Sequence, residues 1–175
     1  MLNNSNIFYK KKILIYGLGK SGLSVFKFLK KNNEITTHDD KIKVNNKKIT
    51  KIKFDYIIIS PGIDINKCNL SKFLKNNSKK IYTDLDIFYS HHKDNNMITI
   101  TGTNGKSTTA KILYEALKDQ KVDVRLVGNI GNPVLLEKKV TNKTVFVIEA
   151  SSYQLEYSRL FKSKISLILN ISPDH

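Results

Sequence analysis

Two glycine-rich loops hold most of the chemistry that this sequence can do. Gly102-Thr-Asn-Gly-Lys-Ser-Thr108 lies between an apolar run at 97–101 and a helical pattern over 106–119. In such a loop backbone amides cradle phosphates, the Lys106 ammonium reaches β and γ oxygens, and the Ser107 hydroxyl ligates Mg2+. It is a shortened variant, because the first glycine of the general G-x-x-x-x-G-K pattern would fall at Ile100. A chance Gly-Lys-Ser at a strand–helix junction is the plainer alternative. The other loop, Gly17-Leu-Gly-Lys-Ser-Gly22, follows the apolar run 12–16 and precedes a helical pattern over 23–31. Its first glycine permits a tight turn, its second lets backbone approach a pyrophosphate, and its third allows close helix–strand packing. Free amides at the helix start, near Lys20 and Ser21, can accept a diphosphate. Asp39 stands 17 residues beyond Gly22, about where an acid could bond a ribose or a base. NAD fits that spacing as well as UDP does, and a tight turn without a ligand is the third possibility.

Three acidic or basic positions accompany the loops. Glu149 ends an apolar run at 144–149, where a carboxylate can hold the magnesium of a phosphate loop; a helix-start acid meeting the dipole is the alternative. Asp174-His175 follows a strand-like run at 164–170, and a neutral imidazole there can ligate a metal or bond a phosphate. His91-His92 reads as a solvated helix end rather than a metal site.

These residues need elements to hold them. Strands are expected at 12–16, 34–38, 55–60, 80–82, 97–101, 123–127, 144–149 and 164–170, and helices at 23–31, 70–76, 84–91 and 106–119. Residues 92–96 have the polar composition of a linker, and 128–133 form a third glycine-rich loop. Strands alternating with helices predict parallel sheets covered on both faces. The run ends at Ser172-Pro-Asp-His175 directly beyond a strand, where open sheets bind ligands. The sequence is therefore read as a fragment.

Composition narrows the classes. The chain has 175 residues, 40% apolar and 26% charged, a globular mixture. No apolar run nears the ~20 residues of a membrane span, and residues 1–9 lack a signal peptide's apolar stretch. Cys68 is the sole cysteine, so an internal disulfide is impossible and a cysteine zinc site is disfavoured. A soluble, cytoplasmic chain without membrane insertion is expected. The net charge of +15 raises nucleic-acid binding, yet only Arg125 and Arg159 are arginine among 30 basic residues. Base-reading surfaces favour arginine forks. Lysine, asparagine and isoleucine all have A/T-rich codons, so the charge reads first as a solvated surface. Anionic partners, nucleotides among them, are the other reading, and no nucleic acid is expected.

Taken in register, Gly17 to Ser24, Ser60-Pro-Gly-Ile63, Thr101 to Thr108, Gly128-Asn-Ile-Gly131, Glu149-Ala-Ser-Ser-Tyr-Gln-Leu155 and Leu169 to His175 resemble the Mur ligase family. These are ATP-dependent enzymes of peptidoglycan precursor synthesis, and the motifs look most like the D-glutamate-adding branch. The resemblance implies an α/β fold: a Rossmann-like parallel-sheet domain at 1–92 for the UDP substrate, then the incomplete P-loop-type α/β ATPase domain at 97–175. The C-terminal amino-acid-binding domain of the family would be absent. It also implies UDP-N-acetylmuramoyl-L-alanine and D-glutamate as substrates, with ATP and Mg2+. Lys20 and Ser21 would meet the pyrophosphate, Asp39, Asp40 and Lys41 the uracil and ribose, and Gly62 and Asn129 the muramoyl-alanine arm. Gly102, Thr103, Asn104, Gly105, Lys106, Ser107 and Thr108 would hold ATP. Ser107 and Glu149 would hold one Mg2+, and His175 would help bind a second metal as well as substrate. Lys106, Glu149 and His175 are the catalytic candidates.

The rivals are an NAD-dependent oxidoreductase, which leaves the second loop unexplained, a nucleic-acid-binding protein, and another Mur-type or folylpolyglutamate ligase. Without an amino-acid domain, the chain alone is expected not to ligate.

Overall fold

The computed structural model describes residues 6–42 and 46–172. Its first half runs β1 (Lys12–Tyr16), α1 (Lys20–Leu29), β2 (Glu34–His38), α2 (Asn46–Thr50), β3 (Tyr56–Ile59), α3 (Ser71–Asn76), β4 (Ile81–Tyr82) and α4 (Asp84–His92). The second runs β5 (Asn96–Thr101), α5 (Lys106–Asp119), β6 (Val124–Gly128), β7 (Val145–Glu149), α6 (Ser152–Tyr157) and β8 (Ile165–Ile168). Each half forms a four-stranded parallel sheet, ordered β2-β1-β3-β4 and β6-β7-β5-β8. The fold is thus α/β with parallel sheets.

Strand order explains why the loops sit where they do. From β1 the chain steps out to β2 and returns on the other side to β3. In the second sheet β5 is flanked by β7 and β8. In open sheets, crevices form outside the carboxyl ends of strands where the winding reverses. Both glycine loops leave the carboxyl end of such a central strand. The central strands are buried on both faces, hence their unbroken apolar runs: Ile13 to Tyr16, Ile57 to Ile59 and Phe146 to Ile148 are all at most 2% exposed. Edge strand β2 has the sequence EITTH and buries only His38. Apolar β8 departs from the pattern, with Ile165 and Ile168 53% and 66% exposed.

Several boundaries differ from the sequence expectation. Helix α1 starts at Lys20, three residues early, because Gly19 already serves as its N-cap. Helix α2 lies in a lysine-rich stretch that showed little pattern. Ile49 and Phe54, both nearly buried, are what anchor it. The expected linker is three residues long, since α4 runs through His92 and β5 begins at Asn96.

The two halves share one core. Residues from both, including Phe8, Ile15, Phe88, Met97, Val134 and Phe146, pack together, with the Phe88 and Phe146 rings edge-on at 4.8 Å. Nor is His92 solvated. Its ring lies against Phe88 and Phe146, and burial lowers its pKa to about 4, so it is neutral at pH 7. A polar clamp reinforces the joint. Fully buried Asp86 accepts hydrogen bonds from the amides of Arg159, Leu160 and Phe161 through Oδ1 and from Thr83 through Oδ2. Loss of that carboxylate would orphan four amides.

Candidate functional site

The first loop is shaped by packing from neighbouring strands. A Cβ on Gly22 would lie 1.8 Å from the Gly17 carbonyl oxygen, so only glycine lets α1 start this close to the turn. Ser60, at the end of β3, donates its hydroxyl to the same carbonyl at 2.8 Å. Around Gly19 there is open space. Asp39 accepts from the Leu18 amide at 2.7 Å and the Lys41 amide at 3.0 Å. Those backbone bonds hold its carboxyl below the usual value.

Asp40 is also occupied. It takes the Tyr16 hydroxyl at 2.5 Å, the Asn69 amide at 3.2 Å and a 3.3 Å contact from His38 Nε2. Burial, then the bond to Asp40, pushes the Tyr16 phenol pKa up. Both acids therefore shape the loop with their carboxylates. Lys20, Ser21, Asp39, Asp40, Lys41 and Gly62 line one cleft of about 510 Å3 together with Gly128 and Asn129 from the second half. That volume suits a small ligand.

The second loop closes on itself. Lys106 Nζ donates to the carbonyls of Gly102 and Thr103 at 2.6 and 2.7 Å. Asn170 templates the loop from beyond β8: its Oδ1 accepts from the Asn104 amide at 2.8 Å, and its Nδ2 donates to the Asn104 carbonyl at 3.0 Å. This residue stood inside a recognised motif, but only the pairing of β5 with β8 gives it a task. Ser107 donates its hydroxyl to Glu149 Oε2 at 2.8 Å, and Glu149 is 4% exposed. A hydroxyl and a buried carboxylate in contact at the start of a phosphate-loop helix are the oxygen donors that Mg2+ prefers. A cleft of about 430 Å3 beside them is lined by Thr103, Lys106, Ser151 and Tyr153. Ser107 and Thr108 line a separate, open cleft with Lys111 and Ile130.

The two sites meet at Gly128. Its φ of +107° and the 2.2 Å between a built Cβ and the Glu149 carbonyl oxygen exclude any side chain. The Asn129 amide donates to that carbonyl at 3.0 Å, so a residue of the first cleft touches the backbone of Glu149. Among the described residues, no group of three or more His, Cys, Asp and Glu side chains could hold a metal. His175 lies outside the described residues. No helix among those described is long and apolar enough to cross a membrane.

Residues 100–175 match the Mur ligase middle domain. The UDP-N-acetylmuramoylalanine–D-glutamate ligases of Rickettsia bellii and Rickettsia felis are 38% and 35% identical over 95% of the chain, which spans 39% of each relative. That of Clostridioides difficile is 37% identical over 94% of the chain and 41% of its own length. Two solved structures share the fold: UDP-N-acetylmuramate:L-alanyl-γ-D-glutamyl-meso-diaminopimelate ligase from Neisseria meningitides (TM-score 0.52, 14% identity, 95% of this chain and 62% of that one) and UDP-N-acetylmuramate-alanine ligase from Thermotoga maritima (TM-score 0.50, 18% identity, 94% and 42%). With Gly102 to Thr108 inside the segment that matches the middle domain and nearly all of its length aligned to such ligases, the chain is similar to the Mur ligase family over 95% of its residues.

Proposed function

We propose that the chain supplies the UDP-substrate-binding and ATP-binding parts of a cytoplasmic ligase that joins D-glutamate to UDP-N-acetylmuramoyl-L-alanine. The observation that carries the reading is the contact between Ser107 and Glu149 beside Lys106. It brings the phosphate-loop hydroxyl and the strand-end acid together across 42 residues of sequence.

In this reading the Lys20 and Ser21 amides at the α1 N-terminus hold the substrate diphosphate. Gly62 and Asn129 line the path of the muramoyl-alanine arm toward Glu149. The substrate carboxylate oxygen attacks the γ-phosphorus of ATP, the bond to the ADP oxygen breaks, and an acyl phosphate forms. The amino group of D-glutamate then attacks the acyl carbon, phosphate departs and an amide remains. The first step brings two anions together. Lys106 offsets their repulsion by moving its ammonium from the Gly102 and Thr103 carbonyls to phosphate oxygens. Mg2+, held by Ser107 and Glu149 with His175 assigned to a second ion, would neutralise phosphate charge. No side chain acts as a nucleophile; the chain binds, orients and offsets charge.

Calorimetric titration of the chain with Mg-AMP-PNP tests this. A charge-assisted hydrogen bond is worth about 1.5–3 kcal/mol, so Lys106→Ala should weaken binding on the order of 10–100-fold. Titration with UDP-N-acetylmuramoyl-L-alanine should be unaffected. Equal triphosphate affinity in the variant would remove the assignment of the loop.

A further inference from the structure

A small polar cluster in the first sheet holds the turn at 39–41 that borders the first cleft. Tyr16, the last residue of β1, is fully buried, and its hydroxyl donates to Asp40 Oδ1 at 2.5 Å. His38, its register partner on β2, is 1% exposed, and the two rings meet edge-on at 4.8 Å. His38 Nε2 lies 3.3 Å from the same Oδ1, while its Nδ1 has no hydrogen-bond partner. An imidazole with one proton therefore carries it on Nε2. On Nδ1 it would be a buried donor without an acceptor, and Nε2 would turn a lone pair on the carboxylate. Asp40 Oδ2 accepts the Asn69 amide at 3.2 Å. A carboxylate has about four acceptor positions. The chain fills two on Oδ1 and one on Oδ2, so one remains on Oδ2, and Asp40 lines the cleft.

We propose that Tyr16 is a positioning residue through which the first cleft selects the base of its nucleotide. The inference rests on the reading of that cleft given above. With the diphosphate at the α1 N-terminus and the arm running toward Asn129, the edge strand β2 and the turn after it are left for the nucleoside. Asp39 is bonded to Leu18 of the glycine loop, on the diphosphate side. Asp40 is the acid left for the base, and its open Oδ2 position matches a ring N–H. Uracil has one at N3, where cytosine has a lone pair. A site built to pair with a ligand N–H rejects an analogue that lacks it, because its own polar group is then left unpaired. The selection works only while Asp40 keeps its orientation. Tyr16 supplies that hold, since its bond is the shortest of the three and burial, raising the phenol pKa, keeps the hydroxyl a donor.

The test is calorimetric titration of the 175-residue chain with UDP and with CDP, which differ only in the base. The unmodified chain should bind UDP at least about tenfold more tightly, the scale of one unpaired acceptor. Tyr16→Phe keeps the ring and removes one hydroxyl. It should bring the two affinities within about threefold of each other by weakening UDP alone. Asp40→Asn leaves Oδ1 to Tyr16 and His38 and puts an NH2 where Oδ2 stood, a donor that suits cytosine N3. It should turn the preference toward CDP. Mg-AMP-PNP affinity should be the same in both variants as in the unmodified chain, which also reports an intact fold. A purely structural role for Tyr16 would weaken UDP and CDP alike and leave their ratio where it was. Equal affinities in the unmodified chain, an unchanged ratio in Tyr16→Phe, or a persisting preference for UDP in Asp40→Asn overturns the proposal. If neither nucleotide binds the unmodified chain, the reading of the cleft itself falls, and this inference with it.

Discussion

Both glycine loops end a central strand and begin a helix, yet they are built by different means. The Gly17–Gly22 turn is braced from outside, by Ser60 on the Gly17 carbonyl and Asp39 on the Leu18 amide, and the space before Gly19 is left open. The Gly102–Lys106 turn is filled from inside, by its own Lys106 ammonium on two carbonyls and by Ser107 on Glu149. A braced, open cradle takes a ligand with little rearrangement. A self-occupied one must exchange internal hydrogen bonds for new ones, so its ligand has to offer stronger partners than backbone carbonyls. A magnesium triphosphate does. Under the proposed function, the open cradle would suit the nucleotide substrate and the self-occupied one the triphosphate.

The sharpest way to break the contrast is to fill the first loop with a single methyl group at two neighbouring glycines. Gly22→Ala sets a Cβ 1.8 Å from a backbone oxygen that cannot retreat. The turn must open, at a cost of several kcal/mol on the scale of severe overpacking, with loss of UDP-ligand binding and a large fall in melting temperature. Gly19→Ala sets its Cβ in open space, so melting should change by less than about 0.5 kcal/mol, the size of an ordinary surface substitution. UDP-ligand affinity should still fall at least about tenfold, the 1.4 kcal/mol of a modest steric conflict. If both variants bind and melt alike, the cradle is not where the ligand sits.

How these loops could be read from sequence differed accordingly. Glycine spacing, lysine and serine are local, and so the strands flanking both loops and the whole of α5, Lys106 to Asp119, were expected where they occur. The supports are remote. Asn170 reaches Asn104 across 66 residues, Asp86 takes three amides more than 70 residues away, and Asp84 meets Gln154 across 70. No periodicity signals such a pairing, because it exists only once two sheets have set their strand order. Asp40 shows the reverse difficulty. The family resemblance implied a uracil or ribose contact for it, and its carboxylate is engaged by Tyr16 and Asn69. The same physics explains His92, whose polar neighbours in sequence suggested solvent and whose neighbours in space are two phenyl rings.

A smaller effect is expected at Asn170, the second loop's outside support. Asn170→Ala removes two partly solvated hydrogen bonds, each worth about 0.5–1.5 kcal/mol. Thermal unfolding should register roughly 1–2 kcal/mol, and Mg-AMP-PNP affinity should fall about fivefold to tenfold with UDP-ligand binding unchanged. Asn170→Asp keeps the acceptor for the Asn104 amide and should recover part of the loss. An unaltered triphosphate affinity would show that the loop is shaped by its glycines and Lys106 alone.

The smallest effect is a pH dependence confined to the first loop. Asp39 is held below its ordinary pKa, first by the Leu18 amide and then by the Lys41 amide. A carboxyl depressed in the folded state stabilises it fully above the unfolded pKa, about 3.9. That contribution is lost as pH falls through the lower, folded value. The unmodified chain should therefore exceed Asp39→Asn in stability at pH 6, and the gap should close below about pH 4. Denaturant midpoints for both proteins between pH 6 and pH 3 would show it, because the titration of every other group cancels in the difference. The side chain is partly open to water, which screens the interaction, so the gap should be modest. It should also be absent from Mg-AMP-PNP binding, since the second loop contains no acid that holds its amides. A gap that stayed constant with pH would mean that the Leu18 and Lys41 amides are satisfied as well by a neutral amide oxygen. The bracing of the first loop would then be a matter of shape rather than charge.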